Sequence, residues 1–197
     1  MPCASDNRRL DERSFRVAVI LIGHIIFLSA GALRILRGQR DHWIRADAPW
    51  WIGYATTLIW LPLLVATLVY KAPFAIADEL QLLGLGVALM GALFAAWGMW
   101  SLGRSYGIKL DLFAGHQLKT DGPYAVVRHP IYFGILVYHL GASVALESAF
   151  LLAGTVAYVL PLLLARIAWE ERVLRAGFGE QYDRYALRVP PLVPLLR

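Results

Sequence analysis

Two stretches of this sequence concentrate polar and ionisable side chains within an otherwise apolar chain. The first, residues 115–132, reads GHQLKTDGPYAVVRHPIY, and the second, residues 166–185, reads RIAWEERVLRAGFGEQYDRY. Ionisable groups next to apolar, membrane-spanning segments are costly to desolvate, so their presence favours a functional role. We therefore look for a binding or catalytic site in these two stretches.

The first stretch has the features of a cradle for an anionic or zwitterionic small molecule. Asp121-Gly122-Pro123 is a turn signal, and Pro130 favours a helix that starts just after His129. The free N–H groups and the positive dipole end of that helix attract a carboxylate or phosphate, and Arg128 and His129 add donors beside it. The alternative is an ordinary interfacial loop, with arginine reaching to headgroups and tyrosines in an aromatic belt.

The second stretch places one basic and two acidic side chains close together. Arg166 and Glu170 are four residues apart and share one face of a helix, whereas the adjacent Glu171 points in another direction. The same spacing is found in surface ion pairs, which contribute little to stability. Spacing alone thus leaves a functional site and a surface ion pair both open.

The composition predicts an integral membrane protein. The 197 residues are 58% hydrophobic and 17% charged, with a mean hydropathy of +0.55. A soluble domain has about 45–50% apolar and about 25% charged residues. The single cysteine, Cys3, excludes an internal disulfide framework. Since no Cys/His group has zinc-binding spacing, no metal site is predicted.

Five uncharged stretches approach the length of about 20 apolar residues that a membrane-spanning helix needs. They are residues 17–33, 48–70, 80–103, 129–146 and 148–165. The last two form a tight helical hairpin that turns near Glu147, where a solvated charge is expected. The sequence thus predicts an all-α integral membrane protein with one domain, residues 1–197. Residues 1–103 supply the first three spans, and residues 104–197 supply the loop, the hairpin and the tail.

Basic residues alternate between the segments that join these spans. Lysine and arginine number four, one, four and none in the four loops and six in the tail. By the positive-inside rule, loops one and three and the C-terminal tail face the cytoplasm, and both polar stretches lie there. Four arginines before the first span argue against an outside N-terminus, but more segments agree with the alternation. The net charge of +5 reflects this topology, so no nucleic-acid partner is predicted.

Taken together, the motifs resemble those of the isoprenylcysteine carboxyl methyltransferase family. The family pattern comprises His-x-Leu, Gly-x-Tyr, Arg-His-Pro-x-Tyr, a glutamate pair and Phe-Gly-x-x-Tyr-x-x-Tyr. The matching residues here are His116, Leu118, Gly122, Tyr124, Arg128, His129, Pro130, Tyr132, Glu170, Glu171, Phe178, Gly179, Tyr182 and Tyr185. The resemblance covers residues 100–194, about half of the chain. One departure is Lys109, which stands where the family has an amide-bearing residue.

The resemblance implies an S-adenosylmethionine-dependent methyltransferase whose lipophilic acceptor enters from the bilayer, a prenylcysteine carboxylate being typical of the family. It implies a cytoplasm-facing cofactor pocket, made by the last two helices and closed by the helical C-terminal tail. The positions that match cofactor contacts are His116, Gln117, Leu118, Lys119, Tyr124, His129, Pro130, Ile131, Tyr132 and Glu170. Arg166 matches an arginine next to the methyl acceptor, and Arg166 and Glu170 are the predicted catalytic residues.

Three other functions stay open at this point. A phospholipid N-methyltransferase would need a base to deprotonate its amine acceptor, and Glu170 or Glu171 are the candidates. A membrane NADPH-dependent sterol or enone reductase has a similar C-terminal region. A membrane scaffold that keeps the fold without turnover is the non-enzymatic alternative.

Overall fold

The structure is a computed structural model that describes residues 4–37, 43–44, 49, 51–52, 58–69, 76–103, 112–113 and 117–194. Its helices are α1 (Ala4–Arg37), α2 (Leu61–Val69), α3 (Asp78–Leu102), α4 (Pro130–Ala145), α5 (Ala149–Phe178) and α6 (Glu180–Ala186). A 3₁₀ turn covers Gly122–Ala125. The predicted all-α class is confirmed, except for a short antiparallel pair that was not expected, β1 (Trp43–Ile44) with β2 (Leu112–Phe113).

Among the described residues, two helices, α3 and α5, are long and apolar enough to cross a membrane. Helix α4 and the segment Ser14–Ile26 of α1 are apolar but shorter. The predicted third and fourth spans agree with α3 and α4 to within two residues at each end, whereas α5 continues past Ala165 to Phe178. The predicted second span lies partly outside the described residues, so five spans remain a prediction.

Helices α3 and α4 pack closely because glycines face the opposite backbone. A Cβ atom added to Gly91 would lie 2.5 Å from the backbone nitrogen of Tyr138, and one added to Gly134 would lie 2.5 Å from the carbonyl oxygen of Gly91. Ala88 and Ala95 are fully buried on α3. Small residues allow such close approach of helix backbones, and this contact fixes the position of α4 against α3.

Helix α5 contains a π-helical turn, Thr155–Val159, between its two α-helical parts. Pro161 follows this turn and has no N–H group for a normal helix hydrogen bond, and the hydroxyl of Thr155 donates to the carbonyl of Leu151 at 2.7 Å. A π turn changes the register of the residues after it. It therefore sets the helix face on which Arg166 and Glu170 lie.

The turn between α4 and α5 is fixed by Glu147, whose half-buried carboxylate is hydrogen-bonded within the protein in addition to any contact with solvent. Its Oε1 atom accepts hydrogen bonds from the backbone N–H of Ile76 at 2.9 Å and from Nε2 of Gln81 at 2.8 Å. Gln81 is only 3% exposed. Free N–H groups near the start of a helix require acceptors, so the carboxylate ties the hairpin to the start of α3.

Candidate functional site

The two polar stretches predicted from the sequence meet in the structure. The turn that leads into α4 carries Arg128 and His129, which contact Glu171 on α5. One turn further along α4, Tyr132 contacts Arg166, which lies just after the uncharged part of α5. The cluster thus joins the start of α4 to the second half of α5. The residues that contact each other are more than 30 positions apart in the sequence.

Arg128 and Glu171 form the most highly connected pair of this cluster. The Oε1 atom of Glu171 accepts hydrogen bonds from Nε of Arg128 at 2.9 Å and from Nη2 at 2.6 Å. The Nη1 atom donates to the carbonyls of Ala186 at 2.9 Å and Val189 at 2.5 Å. Nε, Nη1 and Nη2 of Arg128 all donate within the protein, so its described contacts are structural, and the interpretation of Arg128 as an anion ligand stays a prediction.

His129 is buried and is oriented by several contacts. Its Nε2 atom lies 3.3 Å from Oε1 of Glu171, and its Nδ1 atom lies 3.6 Å from Oε2 of Glu170. Its backbone N–H donates to the carbonyl of Pro191 at 3.0 Å. Its ring is nearly parallel to that of Tyr132, with 5.7 Å between centroids. These contacts leave the imidazole one orientation.

The charge state of His129 is set by burial and by two carboxylates. The residue lies just before α4, outside the membrane-spanning helices. Burial lowers the pKa of its imidazole, but contact with Glu170 and Glu171 and their negative charges raise it by more, so the pKa of His129 lies above its ordinary value. The positive imidazolium is therefore favoured next to the carboxylates.

Arg166 is 2% exposed, as expected for a cation held by specific partners rather than by solvent. Its Nε atom donates to the hydroxyl of Tyr132 at 2.6 Å, and its Nη1 atom donates to the carbonyl of Ile52 at 2.6 Å. The guanidinium carbon lies 5.9 Å from the centroid of the Tyr132 ring. This buried positive charge is fixed in place and can orient a polar group of a substrate.

Glu170 has a buried acceptor atom that makes no hydrogen bond with the described residues and whose described charged neighbour is the His129 ring, 3.6 Å away. Its Oε2 atom is buried and has no hydrogen-bond partner among the described residues, although the side chain as a whole is 31% exposed. A buried acceptor without a donor is costly, and such groups often mark a binding function. Glu170 is therefore suited to receive a cationic or hydrogen-bond-donating group of a ligand.

Other predicted site residues lie around this cluster. The hydroxyl of Tyr124 donates to the carbonyl of Gly98 on α3 at 3.3 Å. Pro130 and Ile131 pack at the same glycine, where an added Cβ would lie 3.0 Å from Cγ1 of Ile131. These three residues therefore join the start of α4 to the end of α3.

The loop before the 3₁₀ turn is not joined to the cluster by its described contacts. Gln117 is exposed and Leu118 is half-buried, and Nζ of Lys119 lies 2.9 Å from Oδ1 of Asp121. His116 and Lys109 fall outside the described residues. No group of three or more metal-ligating side chains is assembled within the part of the chain that the structure describes.

Two tyrosines of α6 belong to the site region, although they were not predicted as contacts. Tyr182 is fully buried, and its hydroxyl has no hydrogen-bond partner among the described residues. The hydroxyl of Tyr185 donates to the carbonyl of Tyr124 at 2.7 Å. Burial raises the pKa of both phenols. The sequence feature that could have identified them is their three-residue spacing, which puts both rings on the same, inner face of α6.

Comparisons with known proteins identify similar sequences and a similar fold. Residues 82–176 match the sequence profile of the isoprenylcysteine carboxyl methyltransferase (ICMT) family. Protein-S-isoprenylcysteine O-methyltransferase B of Arabidopsis thaliana is 34% identical over 115 residues, which are 57% of this chain and 58% of that protein. Methanethiol S-methyltransferase 2 of Bradyrhizobium diazoefficiens is 41% identical over 85 residues, 42% of this chain and 31% of that protein.

A solved structure of the eukaryotic intramembrane Ras methyltransferase ICMT resembles this fold, with a TM-score of 0.58 and 25% identity. The match covers 77% of this chain and 55% of that chain. The chain thus spans less than two thirds of the length of each of these three proteins.

Proposed function

We propose that the chain, whose residues 82–176 match the sequence profile of the isoprenylcysteine carboxyl methyltransferase family, transfers a methyl group from S-adenosylmethionine to a lipophilic acceptor. The observation that carries the proposal is the buried Oε2 atom of Glu170, which has no hydrogen-bond partner among the described residues. The cofactor carries both an ammonium group and a sulfonium, and either would satisfy this oxygen. The aromatic rings of Tyr132 and Tyr182 suit the neighbourhood of a sulfonium.

In this proposal, some site residues bind the cofactor and others bind the acceptor. When bound, S-adenosylmethionine supplies an electrophilic methyl group. Glu170 binds the positive part of the cofactor, and His129, held by Glu171, positions Glu170 through the contact between its Nδ1 atom and Oε2 of Glu170. Arg166 orients the acceptor. Because its guanidinium is positive and buried, an acceptor with a negative charge suits it better than an ammonium group.

A carboxylate acceptor such as that of a prenylcysteine is therefore the leading choice. A carboxylate is already a nucleophile at neutral pH and needs no general base, so proximity and orientation are the main catalytic devices. This agrees with the contacts of Glu171, whose Oε1 atom is taken up by Arg128 and His129. Similarity to the Arabidopsis O-methyltransferase supports the same choice.

A thiol acceptor is the second candidate. It is favoured by the 41% identity to a methanethiol S-methyltransferase over 85 residues. A thiol must first lose its proton to solvent; the resulting thiolate is negatively charged like a carboxylate and would use Arg166 in the same way. The site chemistry described above is common to both acceptors, so a product analysis has to separate them.

We further propose that the chain crosses the membrane five times, with the site on the cytoplasmic side and the helical tail closing the cofactor pocket. The alternation of basic residues and the apolar helices α3 and α5 support this arrangement. Single cysteines introduced at exposed Ala77 and Arg188, with Cys3 replaced by serine, provide a test in sealed vesicles. A membrane-impermeant thiol reagent should label the two from opposite sides, and labelling from one side would contradict the proposed topology.

Cofactor binding is tested first, by titration calorimetry of the full chain in detergent. S-adenosylmethionine should bind to the unaltered chain, and Glu170→Gln should weaken binding about tenfold or more because it removes a buried negative charge. Glu180→Gln is the matched control, since the Glu180 side chain is 90% exposed. Binding of NADPH without S-adenosylmethionine would favour a reductase, and binding of neither would favour a scaffold.

Product chemistry then identifies the acceptor. Methyl-labelled cofactor is supplied with an S-farnesylcysteine, a small alkyl thiol or phosphatidylethanolamine vesicles in separate reactions. A methyl ester releases its label as methanol in alkali, whereas a thioether or an N-methylamine keeps it. We expect alkali-labile label on the farnesylcysteine. If the label resists alkali and appears only with the thiol or only with the phospholipid, a carboxylate is not the acceptor, and the labelled compound identifies the acceptor instead.

A further inference from the structure

Residues 187–192, which follow α6, form a strap that lies against the turn before α4. The carbonyl of Pro190 accepts a hydrogen bond from the backbone N–H of Arg128 at 2.9 Å, and the carbonyl of Pro191 accepts one from the N–H of His129 at 3.0 Å. Leu192 is 6% exposed and packs in the hydrophobic core. The strap is therefore part of the structure around the site rather than a loose end.

Sequence chemistry explains why this segment makes a good strap. Proline has no N–H to donate, but its carbonyl accepts normally, and its ring restricts the backbone φ angle. Pro190 and Pro191 offer two acceptors to the N–H groups that precede α4, where no helix partner exists for them. A stiff segment also loses less conformational entropy when it is ordered.

The side chain of Arg128 joins three parts of the protein at this place. It donates twice to Glu171 on α5 and once each to the carbonyls of Ala186 and Val189 at the end of α6 and in the strap. The arginine and glutamate side chains are 10% and 16% exposed. Five N–H donors in a fixed plane suit a residue that has to hold several acceptors, which lysine does not provide.

The effect of this arrangement reaches His129 through Glu171. The same Oε1 atom that accepts from Arg128 lies 3.3 Å from Nε2 of His129, and the strap fixes the backbone of His129 through Pro191. With Nε2 and the backbone fixed, Nδ1 of His129 is turned toward Oε2 of Glu170. Arg128 itself has no described contact with Glu170.

We propose that Arg128 is a positioning residue that latches the strap onto the Glu171–His129 pair and thereby orients His129 and Glu170 for the cofactor. The inference rests on the proposed function for its last step only. Arg128 acts through other residues and does not contact the reacting groups. Loss of the latch should weaken cofactor binding more than it slows the chemical step.

The test compares Arg128→Lys with Arg184→Lys in the full chain. Arg184 forms an exposed ion pair with Glu180 on α6, where the two side chains are 68% and 90% exposed, so it is a matched control. Arg128→Lys should raise amide hydrogen exchange at Leu187, Arg188, Val189 and Leu192, the residues of the strap that carry an N–H, and leave α3 unchanged. It should raise the Kd for S-adenosylmethionine about tenfold, with kcat at saturating cofactor nearly unchanged. Arg184→Lys should change none of these.

A double variant tests the route through Glu171. If Arg128 acts through this carboxylate, Arg128→Lys combined with Glu171→Gln should weaken cofactor binding no more than the stronger single change. Additive losses would overturn the route. Glu171→Gln also replaces Arg128→Lys as the test of the strap if the lysine variant does not fold.

The outcomes separate this inference from the proposed function. Unchanged exchange in residues 187–192 of Arg128→Lys overturns the latch, whatever the chain binds. A fall in kcat with an unchanged Kd overturns the positioning role, because that pattern belongs to a residue at the reacting atoms. Failure of the unaltered chain to bind S-adenosylmethionine overturns the proposed function instead, and the exchange measurement still decides whether the latch exists.

Discussion

The Nε atom of Arg166 donates a 2.6 Å hydrogen bond to the hydroxyl of Tyr132, joining α5 to α4 in the protein interior. The two residues are 2% and 6% exposed, so water does not compete for the bond. A charge-assisted hydrogen bond in such surroundings is stronger than a neutral one. It fixes the guanidinium at the position where we propose that the acceptor binds.

Removing this hydroxyl by Tyr132→Phe should leave Nε of Arg166 without its acceptor. We expect the free energy of unfolding to fall by about 1–3 kcal/mol, the usual cost of a buried donor left unsatisfied. Methyl transfer should also slow, since the guanidinium loses one of its fixed partners. Thermal unfolding in detergent and a methyl-transfer assay measure the two effects.

Tyr158→Phe is the control for this change, because Tyr158 lies on the π turn of α5, about two helical turns before Arg166. It should leave transfer unchanged. Equal losses of transfer in the two variants would show that the Tyr132 hydroxyl has no special role.

Arg166→Lys should keep the positive charge but lose the planar fork. Lysine is a single point charge and does not reproduce the two bonds that Arg166 makes to Tyr132 and to the carbonyl of Ile52. We expect kcat to fall by about a hundredfold, since small displacements of a positioning group are that costly. The Kd for S-adenosylmethionine should change little.

The control for this variant is Arg172→Lys, because Arg172 is exposed and its guanidinium lies 5.1 Å from the ring of Trp169. It should keep kcat. If Arg166→Lys weakens cofactor binding and leaves kcat intact, Arg166 belongs to the cofactor side of the site.

Protonation of His129 should stabilise the protein at low pH. Its pKa in the folded protein lies above the ordinary value of 6.5, so its contribution is fully present below that value and is lost as the pH rises through the raised pKa. The melting temperature of the unaltered chain should therefore exceed that of His129→Gln most at low pH. The difference should shrink as the pH is raised from below 6.5 through the raised pKa of His129.

For comparison, the melting temperature of Glu180→Gln should differ from that of the unaltered chain by the same small amount throughout this range. A pH-independent difference for His129→Gln would mean that the imidazole is not protonated next to Glu170 and Glu171.

The sequence predicted the members of the site better than their connections. Motifs and helical spacing predict His129, Tyr132, Arg166 and Glu170 as site residues, and the structure brings these four side chains together. The hydrogen bonds of Arg128 were not predictable from motifs or spacing, because its acceptors include backbone carbonyls about 60 residues further along the chain. Only the tertiary fold determines which carbonyls lie next to a given side chain.

The helix boundaries were also predictable only in part. Charged residues bracket the apolar runs of α3 and α4, so counting between charges located both. The uncharged stretch predicts that the fifth span ends at Ala165, but α5 continues to Phe178. It continues because Arg166, Glu170 and Glu171 are good helix formers and contact residues of α4 and of the turn before it. The π turn at Thr155–Val159 has no composition signal that would reveal it.

Close packing of α3 against α4 should be sensitive to a single methyl group at Gly91. In Gly91→Ala the new Cβ would lie 2.5 Å from the backbone nitrogen of Tyr138 and 2.7 Å from the carbonyl oxygen of Gly134. Backbone atoms do not move aside as a flexible side chain does, so the helices must separate. We expect the free energy of unfolding to fall by about 1–3 kcal/mol, as for other overpacked cores.

Gly86→Ala provides the matched control on the same helix, since a Cβ added there meets no atom within 4 Å. Alanine is the better helix former by about 1 kcal/mol, so this variant should be as stable as the unaltered chain or slightly more stable. Thermal unfolding of the two variants under one detergent condition makes the comparison. If Gly91→Ala unfolds at the same temperature as Gly86→Ala, α3 and α4 do not pack at this distance, and His129 and Tyr132 are not held at the start of α4 in the way described.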